Sequence, residues 1–220
     1  TSEEVYKACD LIKSYGCFTL GIQLMIGLPG DSYKACMESV RKTIGIGPSL
    51  ARLYPTVIIS QTKLAEMYAD GTYVPLGQNE MLRTVKDMYK ALTDAGINVI
   101  RVGLKASALI NDSEDSRVVG NSYHPAFRQL VEGNIAREEI EHRLAAVNEI
   151  GNGTNEDPAL KQKNNVQIIA GPERFSAAVG HKAENKKFFA EKFPQLNFSY
   201  REDPTITDRT IIIRFNDKAL

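Results

Sequence analysis

The residues of this chain that could do acid–base, nucleophilic or metal chemistry are few and scattered. Its three histidines, His124, His142 and His181, have no Cys, Ser or Asp at a spacing that implies a triad. The three cysteines, Cys9, Cys17 and Cys36, are irregularly placed, and there is no CxxC, no HxxxH and no paired-carboxylate loop. Reduced thiols, as in a cytoplasmic protein, are the expectation. His124 precedes a proline at a helix start, where capping or packing is the ordinary role, and His142 falls on a charged helical face. What remains is a ligand loop. The apolar run 19–26 stops at Gly27-Leu28-Pro29-Gly30, and Asp31-Ser32 then open a helical pattern. Glycines without a Cβ let the backbone turn sharply and a ligand come close. Asp31 or Ser32 can cap the next helix, and in α/β folds ligands sit at the carboxyl ends of strands. The plainer alternative is a packing turn, because the loop lacks a GxGxxG pattern and a Walker lysine. A phosphate loop ranks last, since the loop holds no Lys or Arg.

The elements that must position this loop read as a βα series. The run 19–26 is expected to be a strand buried on both faces. Before it, 3–15 is a helix capped by Ser2, with Val5, Cys9 and Ile12 on one face, and Gly16 ends it. After it, 33–44 is a helix with Cys36, Met37, Val40 and Ile44 as its core stripe, Cys36 serving as a small buried apolar residue. A second strand spans 50–59, and Pro55 within it predicts a bend, a bulge or an edge position. Helices come next at 63–69 and 78–93, and a third strand at 97–102. The order α-β-α-β-α-α-β is the rhythm of a parallel sheet with helical crossovers. The loop 105–121 leads to a helix starting at His124-Pro125, interrupted at Gly133-Asn134 and resumed over 136–149. Residues 151–165 read as a linker, which makes 1–150 and 166–220 separate domains. In the second, strands at 166–170, 197–200 and 210–215 and a helix at 182–193 form a small α+β unit. Its Lys182, Lys186 and Lys187 with His181 are a solvated face, or less readily a phosphate contact.

Composition sets outer limits. At 220 residues, 43% hydrophobic and 25% charged, with zero formal net charge, the chain has nothing global that favours nucleic acid or a membrane. No run approaches the length of a membrane span, and there is no signal peptide. The chain starts at Thr1, and the first strand has no upstream neighbour, which points to an excised piece of a longer fold. An uncovered strand flank of this kind is sticky, so self-association is expected.

Several segments resemble a known family. GIQLMIGLPGDS, preceded by VYKACDLIKSYG, resembles the fifth-strand region of radical S-adenosylmethionine (SAM) enzymes of the coproporphyrinogen dehydrogenase-like and Elongator branches. ARLYPTVIISQTKLAEMYADGTYVPL is similar to the YPT stretch of the Elongator catalytic subunit and its bacterial relatives. NVIRVGLKAS resembles the next strand of that group, and YHPAFRQLVEG a segment of the bacterial relatives. The likeness covers about 3–145, while GHKAENKKFF is only loosely like the terminal extension. The resemblance implies the C-terminal portion of a partial (βα)6 barrel, part of an iron–sulfur oxidoreductase that cleaves SAM for radical chemistry, with tRNA a candidate substrate. It implies a 4Fe-4S cluster on a C-x3–4-C-x2-C loop, which this sequence does not contain, so the chain by itself is expected to be inactive and free of cofactor. It places Gln23, Ile26, Gly27, Leu28, Pro29, Tyr54 and Val57 beside the nucleoside of SAM. The partners it implies are the missing N-terminal half of the barrel and tRNA or a protein. A binding module for RNA or protein, without catalysis of its own, is the alternative.

Overall fold

The structure, a computed structural model, describes residues 1–107, 110, 116–120, 123–151, 164–216 and 218–219. They form a mixed α/β fold in two compact units, Thr1–Arg128 and Gln129–Leu220.

The first unit has the expected order: α1 (Ser2–Ser14), β1 (Gly21–Ile26), α2 (Tyr33–Ile46), β2 (Leu50–Pro55), α3 (Lys63–Ala69), α4 (Gln78–Asp94) and β3 (Asn98–Val102). The strands are parallel and lie in the order β1-β2-β3. Crossovers that advance one strand at a time with one handedness place every crossover helix on the same side of the sheet. Accordingly α2 and α4 pack on each other and on the strands. Ile26, Ala51, Leu53, Val99 and Val102 are buried on that covered side, together with Val40 of α2 and Val85, Met88 and Leu92 of α4. The other side carries Gly21, Gln23, Met25, Arg52 and Arg101, all exposed.

Three expectations for this unit need correction. First, β1 is not buried on both faces: only Ile26 is fully buried, and Met25 is 47% exposed. The reason is its position, since β1 pairs with β2 alone among the described residues. Second, of the bend, bulge or edge expected for β2, the edge is excluded: β2 is the central strand, it ends at Pro55, and its pairing with β3 shifts register between Ala51 and Arg52. The proline does not weaken the ladder there, because Thr56 N–H, one residue on, donates to the Ile26 carbonyl at 2.8 Å. Third, the apolar stripe of α1 is not a core face. Cys9 alone is buried, while Val5 (52%) and Leu11 (59%) face solvent. Its cap is Thr1, in a capping box with Glu4.

The second unit contains most of α5 (Phe127–Gly151), then β4 (Asn164–Ala170), α6 (Pro172–Val179), a 3-10 turn (His181–Ala183), α7 (Glu184–Lys192), β5 (Leu196–Glu202), β6 (Ile211–Phe215) and β7 (Lys218–Ala219). Its mixed sheet runs β5-β4-β6-β7, with β4 parallel to β5 and antiparallel to β6. Ile140 and Leu144 of α5 are buried in one core with Ile168, Phe189, Ile211 and Ile213. The boundary expected at 150 therefore falls inside a helix that packs with the tail, and most of the expected linker lies outside the described residues. α5 runs unbroken through Gly133-Asn134, and the Gly133 carbonyl accepts from the side-chain amide of Asn185 at 2.9 Å.

Candidate ligand face and its loop

The loop after β1 is fastened from three directions. Gly27 has φ +86°, a backbone state open to glycine without strain. Its N–H donates to the Asp31 carboxylate at 2.9 Å, and its carbonyl accepts from the Tyr73 hydroxyl at 2.6 Å. The same carboxylate accepts from Ser32 N–H at 2.8 Å and from the Cys36 thiol at 3.3 Å. Of the two candidate caps, Ser32 takes the role, its hydroxyl accepting from Ala35 N–H at 3.2 Å, while Asp31 reaches back into the loop.

Burial, together with the neighbouring Asp31 carboxylate, pushes the Cys36 thiol up to about 12 from a reference of 9.0. A folded-state value raised above the unfolded one means stability that is complete below pH 9 and lost as pH climbs towards 12. Urea midpoints of the natural chain should therefore fall more steeply over this alkaline range than those of Cys36→Ala. Parallel curves would show that the thiol titrates alike in the folded and unfolded chain, with no raised value in the fold. The Tyr73 hydroxyl, on a side chain only 5% exposed, makes a neutral hydrogen bond to a loop carbonyl. Tyr73→Phe should cost about 1–2 kcal/mol in urea unfolding, and an unchanged midpoint would mean that the Gly27 carbonyl finds another donor.

The seven residues expected at the ligand fall in different places. Gln23 and Tyr54 lie on the side of the sheet away from the helices, Gln23 exposed and Tyr54 half-buried. Ile26 is on the helix-covered side, 0% exposed. Gly27 is buried at the start of the loop, Leu28 (42%) and Pro29 are exposed along it, and Val57 is half-buried just past β2. Beyond the strand ends, a cleft of about 300 Å³ is lined by Ile58, Tyr68, Leu76, Gln78 and Gly120 among others. Thr56 at the end of β2 is 5% exposed, and its hydroxyl has no hydrogen bond within the described structure.

Sequence reasoning missed the ties of the loop and part of the exposed row. Nothing local links Tyr73 to Gly27, which is 46 residues away. Arg52 alternates with the buried Ala51 and Leu53 and was legible as an outward residue; Arg101 was not, because β3 slips register beside Ala51/Arg52.

The remaining candidates do not form a centre. His124 Nδ1 accepts from Ala126 N–H at 3.1 Å in the turn before α5, His142 is exposed, and His181 meets Gln129 at 3.1 Å. Lys182, Lys186 and Lys187 are exposed, and Lys186 lies 5.0 Å over the Tyr200 ring. Among the described residues no group of His, Cys, Asp or Glu could hold a metal ion. None of the described helices is long and apolar enough to cross a membrane.

Comparison with known proteins joins the strand order to a family. Residues 48–137 match the Radical_SAM C-terminal domain. The chain resembles the C-terminal part of radical SAM proteins. The matched segment holds β2, α3, α4, β3 and the start of α5, and leaves β1 and its loop outside. An uncharacterized protein of Methanocaldococcus jannaschii is 34% identical over 89 residues, 38% of this chain and 28% of the relative. The tRNA uridine(34) acetyltransferase of the same organism is 28% identical over 88 residues, 39% of this chain and 16% of its own length. That of Methanocaldococcus infernus is 28% identical over 86 residues, again covering 16% of its length. The chain thus aligns with between 16 and 28% of the length of these relatives.

Proposed function

We propose that this chain forms the rear wall of a partial (βα)6 radical SAM barrel, part of an iron–sulfur oxidoreductase acting on tRNA. The observation that carries this reading is the one-sided sheet. Parallel sheets are ordinarily covered on both faces. Here helices cover one side, while the other presents Gln23, Met25, Arg52 and Arg101 to solvent. Strands backed by helices on one side only are the arrangement of a barrel wall, whose other side faces inward. The substrate class comes from the likeness to the tRNA uridine(34) acetyltransferases, and a cytoplasmic setting fits the free thiols.

The residues present fit a nucleoside but not an iron–sulfur cluster. A side-chain amide at Gln23, a hydroxyl at Tyr54 and the unpartnered Thr56 hydroxyl at the same end of the sheet suit the polar edges of SAM. Bound SAM supplies a source of hydrogen-atom abstraction, and this chain's part is to orient it and exclude water. The cysteines do not suit a cluster: Cys9 and Cys36 are buried, Cys17 is exposed, and Cys36 holds its proton against Asp31. We assign the cluster to a segment outside these residues, and with it the strand that completes the open edge of β1. The chain alone should not turn over, and a second copy should occupy that edge.

The test is 5′-deoxyadenosine formation from SAM under anaerobic reducing conditions by the protein that joins this chain to its cluster-bearing part. Turnover is expected, and Gln23→Ala and Tyr54→Ala should each reduce it about tenfold. A cluster-loaded protein that forms no 5′-deoxyadenosine would refute the reading.

A further inference from the structure

The exposed side of the sheet carries two cations that the cofactor reading does not use. Gln23 of β1 stands in register with Arg52 of β2, and Arg52 in register with Arg101 of β3. All three are exposed, and neither arginine has a hydrogen bond or ion pair within the described structure. Neighbouring strands lie roughly 4.8 Å apart, so two guanidinium groups rise side by side. Like charges directly opposed on one sheet face are unfavourable.

The pair exists only because β3 slips register. Ala51 pairs with Val99, but the next residue, Arg52, pairs with Arg101, so Ile100 is skipped. Regular pairing would set Ile100 beside Arg52 and turn Arg101 towards the helices with Leu53. The slip instead brings the second cation onto the open face and returns Val102 to the core. Bulges often re-aim a side chain beside a site.

We propose that Arg52 and Arg101, with Gln23 in the same row, bind the phosphoryl group of a small phosphate ester. Two planar forks present parallel N–H pairs suited to phosphate oxygens. Their double positive charge matches a phosphate dianion better than a single carboxylate, and the Gln23 amide can donate to a third oxygen, which a carboxylate lacks. An extended polyanion would call for a wider basic surface, whereas this row ends in Gln23 and is flanked by Met25 and Tyr54. The site shares Gln23 with the cofactor reading, but Arg52 and Arg101 have no part in that reading and SAM carries no phosphoryl group, so the two can fail separately.

The experiment is a titration of the whole ¹⁵N-labelled chain with inorganic phosphate, read at the arginine Nε–H signals, against sodium chloride and acetate at equal ionic strength. Two arginine signals should shift saturably with phosphate. Arg52→Gln and Arg101→Gln should each weaken binding about tenfold or more. Arg52→Lys should also weaken it, because charge remains but the fork is lost. Arg41→Gln, on α2 beside Glu38, should leave it unchanged. Amide spectra and melting temperatures verify the fold, and losing one of two facing charges should not lower the melting temperature. Shifts no larger than those with chloride, or glutamine variants that bind like the parent, would overturn the proposal. Acetate binding as tight as phosphate would overturn the phosphoryl assignment.

Discussion

Asn185→Ala is expected to destabilise the second unit by about 3–4 kcal/mol, because one buried amide serves three partners. Asn185 is 0% exposed, and its Nδ2 donates to the carbonyls of Gly133 and Ala177, each at 2.9 Å. Its Oδ1 accepts from the Arg137 guanidinium at 2.8 Å. One side chain on α7 thus ties α5 to α6. Truncation takes the amide from two carbonyls and from a partly buried guanidinium group, which keeps Glu184 at 3.5 Å, and an unsatisfied buried group costs about 1–3 kcal/mol. Asn185→Asp keeps the acceptor for Arg137 and loses the two donors, so it separates the contributions. Urea unfolding monitored on the phenylalanine-rich core would check this, and a loss under about 1 kcal/mol for alanine would mean that water replaces the amide.

Gly171→Ala should be nearly as damaging, for a steric reason. A Cβ at Gly171 would sit 2.0 Å from the carbonyl oxygen of Ile206. That oxygen belongs to backbone held in place: Ile206 N–H donates to Asp203 at 3.1 Å, and Asp203 N–H to Ala170 at 3.0 Å. The clash cannot be relieved by turning a side chain, so the expected loss is about 3 kcal/mol or more. In a thermal melt that corresponds to roughly 6–12 °C. Gly30→Ala is the contrast. It has φ +79° but nothing within 4 Å of the added methyl, so only backbone strain of about 1–2 kcal/mol applies. Equal melting temperatures for the two variants would refute the steric account.

Much of the first unit was legible because glycine and proline mark its joints. The helix at Lys63–Ala69 has the expected bounds, and the α-β-α-β-α-α-β order holds. Burial was harder to read. The run before Gly27 looked uniformly apolar, yet Gln23 at its centre was the sign of an open side. On α1, Val5, Leu11 and Ile12 mimic a core stripe without being buried. α6 was missed altogether: PERFSAAV is short and rich in small residues, and only Pro172 at its start and Gly180 at its end announce it. Gly133 read as a break, whereas α5 runs through it, and a Cβ there would meet Gly180 Cα at an ordinary contact distance of 3.5 Å. Of the candidate site, the loop was visible in residue types. The hold of Tyr73 on it and the second arginine depend on strand pairing and long-range folding that local pattern does not encode.

The skipped residue in β3 gives that strand one position whose loss the pairing can absorb. Deleting Ile100 would restore even pairing with β2 and keep every face as it is, because Arg101 would then follow Val99 directly and still lie beside Arg52, with Val102 beside Leu53. A single-codon loss there should therefore be tolerated about as well as exchanging Ile100, itself 39% exposed, for a polar residue. Comparing soluble yields of the two variants would show whether this sheet counts its residues or merely samples their chemistry.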